Sequence, residues 1–476
     1  MRLPRWRESS SRSPSGTPAP SAGAASATAR HPPGRRASTS WRRAQPTRCE
    51  SARRSPCSRS SRDRSCVYSR AMTIEIRPCA DRDELRDYGR IVSYVFASEE
   101  GMDDELAATQ PEWTVCAFVD GKMASTLGVW PFTVRLNGVP VPMGGVTAVG
   151  TLPNYRRRGL LRQTMRKALE TMYERRQPLA ILWASMAAIY QRFGYGLAST
   201  RVAYRFDPRL AALAERPQVP GQIELLNVEE AYPVIKPVFI EWATPRNLVI
   251  HRSAELWRVS TFRPPKKGLP VHVAVYRDAD GTPRGYAVYT AQSVEHTPDE
   301  GEQELQVHEL VALDATAWAA LWEFLRAHDL ARRVELRAVP PDDPAPLLLL
   351  EPRVLNRRTQ DAIWMRVVDA ARALEARPYG AAGRLTIALS SDDQCPWNTG
   401  TYELETDGPR AEVRRVHGPD ADITLEPAAL ASLLAGQWSA SFLARAGRLQ
   451  ADDDVKIRLA DDLFRTAYEP FCPNGF

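Results

Sequence analysis

The stretch VGTLPNYRRRGLLRQTM, Val149 to Met165, runs from an extended segment through three arginines and a glycine into a helical pattern. Pro153 disfavours helical geometry at Leu152, so the chain enters this corner extended. Beyond it, Leu161, Met165, Ala168, Leu169 and Met172 recur at helical spacing and predict one apolar face. The first-turn N–H groups of such a helix have no intrahelical partner and carry partial positive charge. Gly159 lets a ligand approach the backbone, and Arg156, Arg157 and Arg158 add charge-assisted donors. A solvated arginine run is the plain alternative. It is disfavoured because arginine opposes the helix dipole at an N-terminus unless an anion compensates. The corner therefore predicts a pyrophosphate site, although neither GxxxxGK[ST] nor GxGxxG is present.

Working outward, TIEIRP reads as a strand and DRDELRDYGRIVSYVF as a helix. WTVCAFVDGKMASTLGVWPFTVRLNGVPVPMGGVTAVGTL reads as an antiparallel meander turning at Asp120-Gly121 and Asn137-Gly138. After the corner helix, PLAILWAS is a buried strand and MAAIYQRFGYG follows it. This predicts a mixed α/β domain over 72–220, ending near PRLAALAERPQVPGQ. A second unit of similar rhythm covers 221–365, with Asp314-Ala315-Thr316 where the basic corner stood. Asp314 makes a good helix cap and a poor phosphate site. A third unit, 366–476, carries strands in GRLTIALSS, GTYELET and AEVRRV and short helices in EPAALASLLAG and SASFLARAG. The fold class is mixed α/β throughout.

The net charge of +6 is misleading. Residues 1–71 hold sixteen Arg against Glu8, Glu50 and Asp63, a surplus of thirteen that leaves 72–476 at −7. The body therefore gives no support to a nucleic-acid partner. The Arg-, Ser- and Pro-rich segment 1–71 is expected to be disordered. It reads as a mis-called extension with translation starting at Met72, in preference to a transit peptide. No apolar run is long enough to span a bilayer, so no membrane role is expected. Cys79, Cys116, Cys395 and Cys472 are scattered, with no metal-ligand spacing and no disulfide framework. This suits a reducing cytoplasm.

Arg156-Arg157-Arg158-Gly159-Leu160-Leu161, between strand and amphipathic helix, resembles the R-x-x-G-x-[GA] coenzyme A corner of GNAT acetyltransferases. Leu161 departs from the usual small last residue, a departure shared by the enhanced intracellular survival (Eis) type branch. The resemblance continues through LWAS and IYQRFGYG and through the layout. It implies tandem GNAT domains, the second degenerate, then a sterol-carrier-protein-like domain, over essentially all of 72–476.

The resemblance also implies roles. The backbone of Val149, Gly150 and Thr151 pairs with pantetheine and holds the acetyl carbonyl. The N–H groups from Arg157 through Leu160 and Leu161 to Arg162 cradle the pyrophosphate. Ser185 and Met186 sit beside the coenzyme A arm, and Tyr190 is the general acid. A phenol of ordinary pKa about 10 can serve at neutral pH. No histidine occurs between residues 72 and 250, so the first unit supplies no imidazole base. The family answer is the C-terminal carboxylate, here that of Phe476, acting through water; an α-carboxyl of pKa about 3.5 needs desolvation or a relay to do so. The expected reaction is acetyl-CoA-dependent, metal-free acetylation of a primary amine on a cationic small molecule, aminoglycoside- or polyamine-like, or on a lysine. A hexameric homo-oligomer is implied. A CoA- or lipid-binding module without turnover, and a transferase of longer acyl chains, remain open at this level.

Overall fold

The computed structural model describes residues 72–97, 106–215, 218–266, 268–293, 302–418 and 420–476; the expectation for 1–71 lies outside the described residues. The first sheet begins with β1 (Ile74–Arg77), β2 (Cys116–Val119), β3 (Lys122–Leu136), β4 (Val139–Thr151), β5 (Leu179–Trp183) and β6 (Gly196–Leu197). Asp120 and Gly121, and Asn137 and Gly138, all have positive φ, as two-residue hairpin turns between right-twisted strands require. Helix α1 (Arg82–Phe96) starts on Asp81, whose carboxylate accepts from the N–H groups of Asp83 and Glu84. Helix α2 (Leu160–Glu174) buries Leu160, Thr164, Met165, Ala168, Leu169 and Met172, so the apolar face read from the sequence is the core face, with Leu161 at its half-buried edge.

The second sheet comprises β7 (Thr200–Phe206), β8 (Gln222–Leu226), β9 (Val271–Arg277), β10 (Pro283–Ser293), β11 (Gln303–Ala312), β12 (Ala331–Val339) and β13 (Arg358–Asp361). Helices α4 (Val228–Ala243) and α5 (Ala315–Arg326) pack on it, and α3 (Ala187–Gln191) belongs to the first sheet's side. Strand order is β13-β7-β12-β11-β10-β9-β8. Asp314 caps α5 through Ala317 N–H and is also paired with Arg284. A carboxylate thus occupies the second copy's corner.

The two sheets exchange strands. β7 directly follows the first sheet in sequence yet pairs with β12 and β13 of the second. β14 (Ile363–Val367) follows the second sheet and inserts between β5 and β6, giving the order β1-β2-β3-β4-β5-β14-β6. Burial accounts for this. Val202 and Tyr204 fill the second core, and Ile363, Met365 and Val367 fill a core shared by the first sheet and the third unit.

The third unit is a five-stranded sheet, β15 (Gly383–Leu389), β16 (Gly400–Thr406), β17 (Ala411–Val416), β18 (Ile423–Leu425) and β19 (Leu449–Gln450), in the order β17-β16-β15-β18-β19. Helices α6 (Ala370–Glu375), α7 (Pro427–Ala435), α8 (Ala440–Arg445) and α9 (Asp454–Phe464) accompany it. α7 is apolar nearly all round because it is enclosed between this sheet and β14. It approaches β6 so closely that a Cβ on Gly196 would stand 2.0 Å from Ala428 O. After α9 the chain turns back: Phe471 packs in the core between α4 and the second sheet, Cys472 in the shared core, and the Phe471 N–H donates to Asn247 O. The four described cysteines are free thiols, and Cys79 and Cys116 lie 3.8 Å apart, sulfur to sulfur. Among the described residues no helix is long and apolar enough to cross a membrane.

Candidate active site

A V-shaped opening between two parallel strands builds the site. β4 and β5 pair only from Met143↔Leu179 to Gly145↔Ile181 and then diverge. The divergence has a local cause. Ala148 adopts φ 51°, and the β3–β4 register slips between Thr126 and Gly128, a bulge that bends β4 away. The bent end is tied to β3: Thr126 Oγ1 donates to Ala148 O and Ser125 Oγ to Gly150 O. Among the described residues the β5-facing backbone of Val149–Thr151 is thereby left without a strand partner.

The chain then makes the corner. Pro153–Tyr155 form one 3-10 turn, Arg157 takes φ 63° and Gly159 φ 77°. Gly159 is the N-cap of α2 and offers no side-chain cap. Among the described residues nothing accepts from the backbone N–H groups of Arg157 to Arg162. Six unsatisfied donors in succession are what an anion would complete. Five of these residues, all but Arg158, line a cavity of about 850 Å³.

Most residues singled out from the sequence meet in this cavity. Val149, Gly150 and Thr151 line one side, Arg156, Arg157, Gly159, Leu160, Leu161 and Arg162 the corner, and Ser185, Met186 and Tyr190 the opposite side. Arg158 does not join them. Its guanidinium turns back to donate to Asn154 O at 3.0 Å and lies over the Tyr155 ring, so only its backbone serves the corner. The Arg156 Nε–H donates to Thr151 O, bracing the strand end.

Tyr190 is buried on α3, its ring edge-on to Tyr195. Burial pushes the phenol up to about 12, with a hydrogen bond to Ser185 pulling the other way. It is therefore a neutral proton donor at neutral pH. Tyr195 is fully buried core, its hydroxyl against Met165 Sδ.

Phe476 lines a second cavity of about 590 Å³, and Phe96 stands in the walls of both cavities. The Phe476 ring packs edge-to-face on Phe132 at 4.9 Å. The terminal stretch is held by Asn474, which is 1% exposed. Its main-chain oxygen accepts from Trp183 Nε1–H and its Oδ1 from Arg252 Nε–H, both at 2.9 Å, and its Nδ2 donates to Ser260. Arg252 is itself buried, forked onto Glu309, with its guanidinium 3.6 Å from the Phe239 ring centroid. Tyr286 also donates to Glu309, at 2.6 Å. The last residues are thus anchored to both sheets.

Residues 75–198 match an acetyltransferase (GNAT) domain family, residues 248–372 a second acetyltransferase (GNAT) domain family, and residues 370–473 a sterol carrier protein domain. An N-acetyltransferase Eis of Mycobacterium bovis is 30% identical, the match covering 70% of this chain and 81% of that protein.

This chain is an Eis-type GNAT N-acetyltransferase.

An uncharacterized N-acetyltransferase of Streptomyces avermitilis is also 30% identical, over 86% of this chain and all of its own length. The crystal structure of Eis1 from Mycobacterium abscessus superposes with a TM-score of 0.72 at 28% identity, covering 84% of this chain and 100% of that one. The tandem GNAT and sterol-carrier-like layout expected from the sequence is the layout of this Eis-type chain.

Sequence reasoning missed several residues of the site. Asp393 and Gln394, from the loop after β15, line the corner cavity, and Asp393 pairs with Arg162. Arg201, His308 and Arg337 of the second sheet line the other cavity. They belong to no motif, and only the strand exchange and the returning third unit bring them near the first sheet.

Proposed function

We propose that this Eis-type acetyltransferase is acetyl-CoA-dependent and transfers the acetyl group to a primary amine by direct attack on the thioester. The observation that carries the reading is the cavity at the β4–α2 corner. Five residues with unpaired backbone N–H groups, Arg157 and Gly159 to Arg162, line it where a pyrophosphate would sit, and Tyr190 opens into the same space. In this reading the amine nitrogen bonds to the acetyl carbonyl carbon and the carbon–sulfur bond breaks. The backbone of Val149–Thr151 steadies the oxyanion. Tyr190 gives its proton to the leaving sulfur, which its raised pKa suits. The Phe476 carboxylate takes the proton from the amine through water. No metal is required.

The acceptor expected from the sequence is a cationic small molecule or a lysine, a reading supported by the −7 balance of residues 72–476 alone. The functional division at 72–220, 221–365 and 366–476, the cytoplasmic setting and the hexamer belong to this proposal as well. The test is thiol release from acetyl-CoA with a panel of primary amines, alongside Tyr190→Phe. Release that depends on amine and falls in the variant supports the reading. Acetyl-CoA binding without release from any amine replaces it with a binding role.

A further inference from the structure

The second cavity carries a charge pattern that the reaction by itself does not call for. Arg201 on β7 lines it, half-buried, with its guanidinium 5.1 Å from the Trp183 ring centroid. Its Nε–H is buried without a hydrogen-bond partner, and no described carboxylate forms an ion pair with it. Arg337 on the neighbouring strand β12 lines the same cavity. Its described ion pair is a loose one, 3.6 Å to Glu335, with 57% of the side chain exposed. Burial lowers the Arg201 pKa; Asp361 on the adjacent strand β13 raises it in part, and Arg337 lowers it again. Arg263 lines the cavity too and has an interaction of its own.

Asp361 acts on Arg201 from outside the cavity, without an ion pair to it. Among the described residues no Asp or Glu side chain lines the cavity, which leaves the Phe476 carboxylate as its described anion. The nearby buried acid, Glu309, is consumed by Arg252 and Tyr286. His308 adds no compensating negative charge; burial, and to a lesser degree Arg337, lower its pKa against the Thr261 backbone and Glu309, which raise it. A buried guanidinium donor without a partner carries a desolvation penalty that a bound anion would relieve. A polycationic acceptor would instead meet like charge at the far wall.

We propose that the acceptor is an amine whose other end is acidic, a carboxylate or phosphate, held by Arg201 and Arg337 while its amino group faces the Phe476 terminus. The proposal rests on the acetyltransferase reading of this site and departs from the cationic acceptor expected from overall charge. Net charge of the body acts at long range; selection in the cavity is made by the groups that line it.

The experiment uses the full chain and three primary amines of one backbone: γ-aminobutyrate, its neutral amide γ-aminobutyramide, and the dication putrescine. Thiol release gives kcat and KM for each, and calorimetry on the CoA-bound protein gives affinity without turnover. One charge-assisted contact predicts that the acid exceeds the amide by about tenfold or more in kcat/KM, with the difference in KM. In Arg337→Gln, an exposed position where folding is not at stake, and in Arg201→Gln, the acid-to-amide ratio falls toward one. Raised salt narrows the same ratio. Release that favours putrescine, or ratios unchanged in both variants, overturns the proposal while the transferase stands. No release from any amine, with γ-aminobutyrate still binding and its binding lost in Arg337→Gln, would remove the transferase reading and keep the anion site. If γ-aminobutyrate neither binds nor is acetylated, the anion site is refuted.

Discussion

Replacing the terminal carboxylate of Phe476 by a carboxamide isolates the base from everything else the terminus does. The ring keeps its contact with Phe132 at 4.9 Å. The anchors at Asn474 lie two residues upstream and are untouched. Stability should therefore stay within about 0.5 kcal/mol of the parent, as for a surface change that breaks no named interaction. Removing a general base should lower kcat by roughly 10²- to 10⁴-fold. Deleting Phe476 outright adds the loss of an aromatic pair, about 0.5–1.5 kcal/mol beyond its buried area, and carries the carboxylate back to Gly475. The assay is thiol release from acetyl-CoA at saturating amine, with acetyl-CoA affinity and thermal midpoint measured on the same samples. The expected pattern is a collapse of kcat in the amide with both controls unchanged. An amide form that turns over at the parental rate would refute the base assignment.

Other expected outcomes follow from the same geometry. Tyr190→Phe should lower kcat about a hundredfold with acetyl-CoA affinity intact, read by thiol release and calorimetry. Since burial raises its pKa from 10.0 to about 12, the acid form persists through neutral and alkaline pH. Rate loss from Tyr190 ionisation should appear only as pH rises toward 12, and a fall near 10 would contradict the burial argument. Arg252→Met leaves Glu309 buried with the Tyr286 hydroxyl as its remaining partner and frees Asn474. A loss of about 3–5 kcal/mol in denaturant unfolding is expected, and a loss under 1 kcal/mol would show that this ion pair does not hold the terminus. Gly145→Ala would put a Cβ 2.2 Å from Phe132 Cε2, so the ring supporting Phe476 must move. Overpacking of about 1–3 kcal/mol with a reduced kcat is expected, and unchanged melting and turnover would mean the ring relocates freely.

Local chemistry was legible along the chain. The hairpin dipeptides at Asp120 and Asn137, the apolar face of α2, the cap at Asp314 and the donors of the Arg156–Gly159 corner were all readable. Each is decided by residues within about one turn of one another. The same holds for Tyr190, whose place after β5 follows from a contiguous motif. Arg158 shows where such reading stops: its spacing matched, but its side chain found Asn154 O and the Tyr155 ring instead of the cavity.

The sequence by itself determined the element types, the arginine–glycine corner with its unpaired N–H groups and the family to which the chain belongs, because these depend on short spacings. Only the tertiary structure decided that β7 and β14 trade sheets, since burial across two cores and not local propensity selects a strand's partner. It alone brought Asn474 onto Trp183 and Arg252, contacts that span 291 and 222 residues. It alone set Arg201 and Arg337 in one wall. The charge that an acceptor meets depends on side chains gathered from distant segments, and no periodicity in the chain records that gathering.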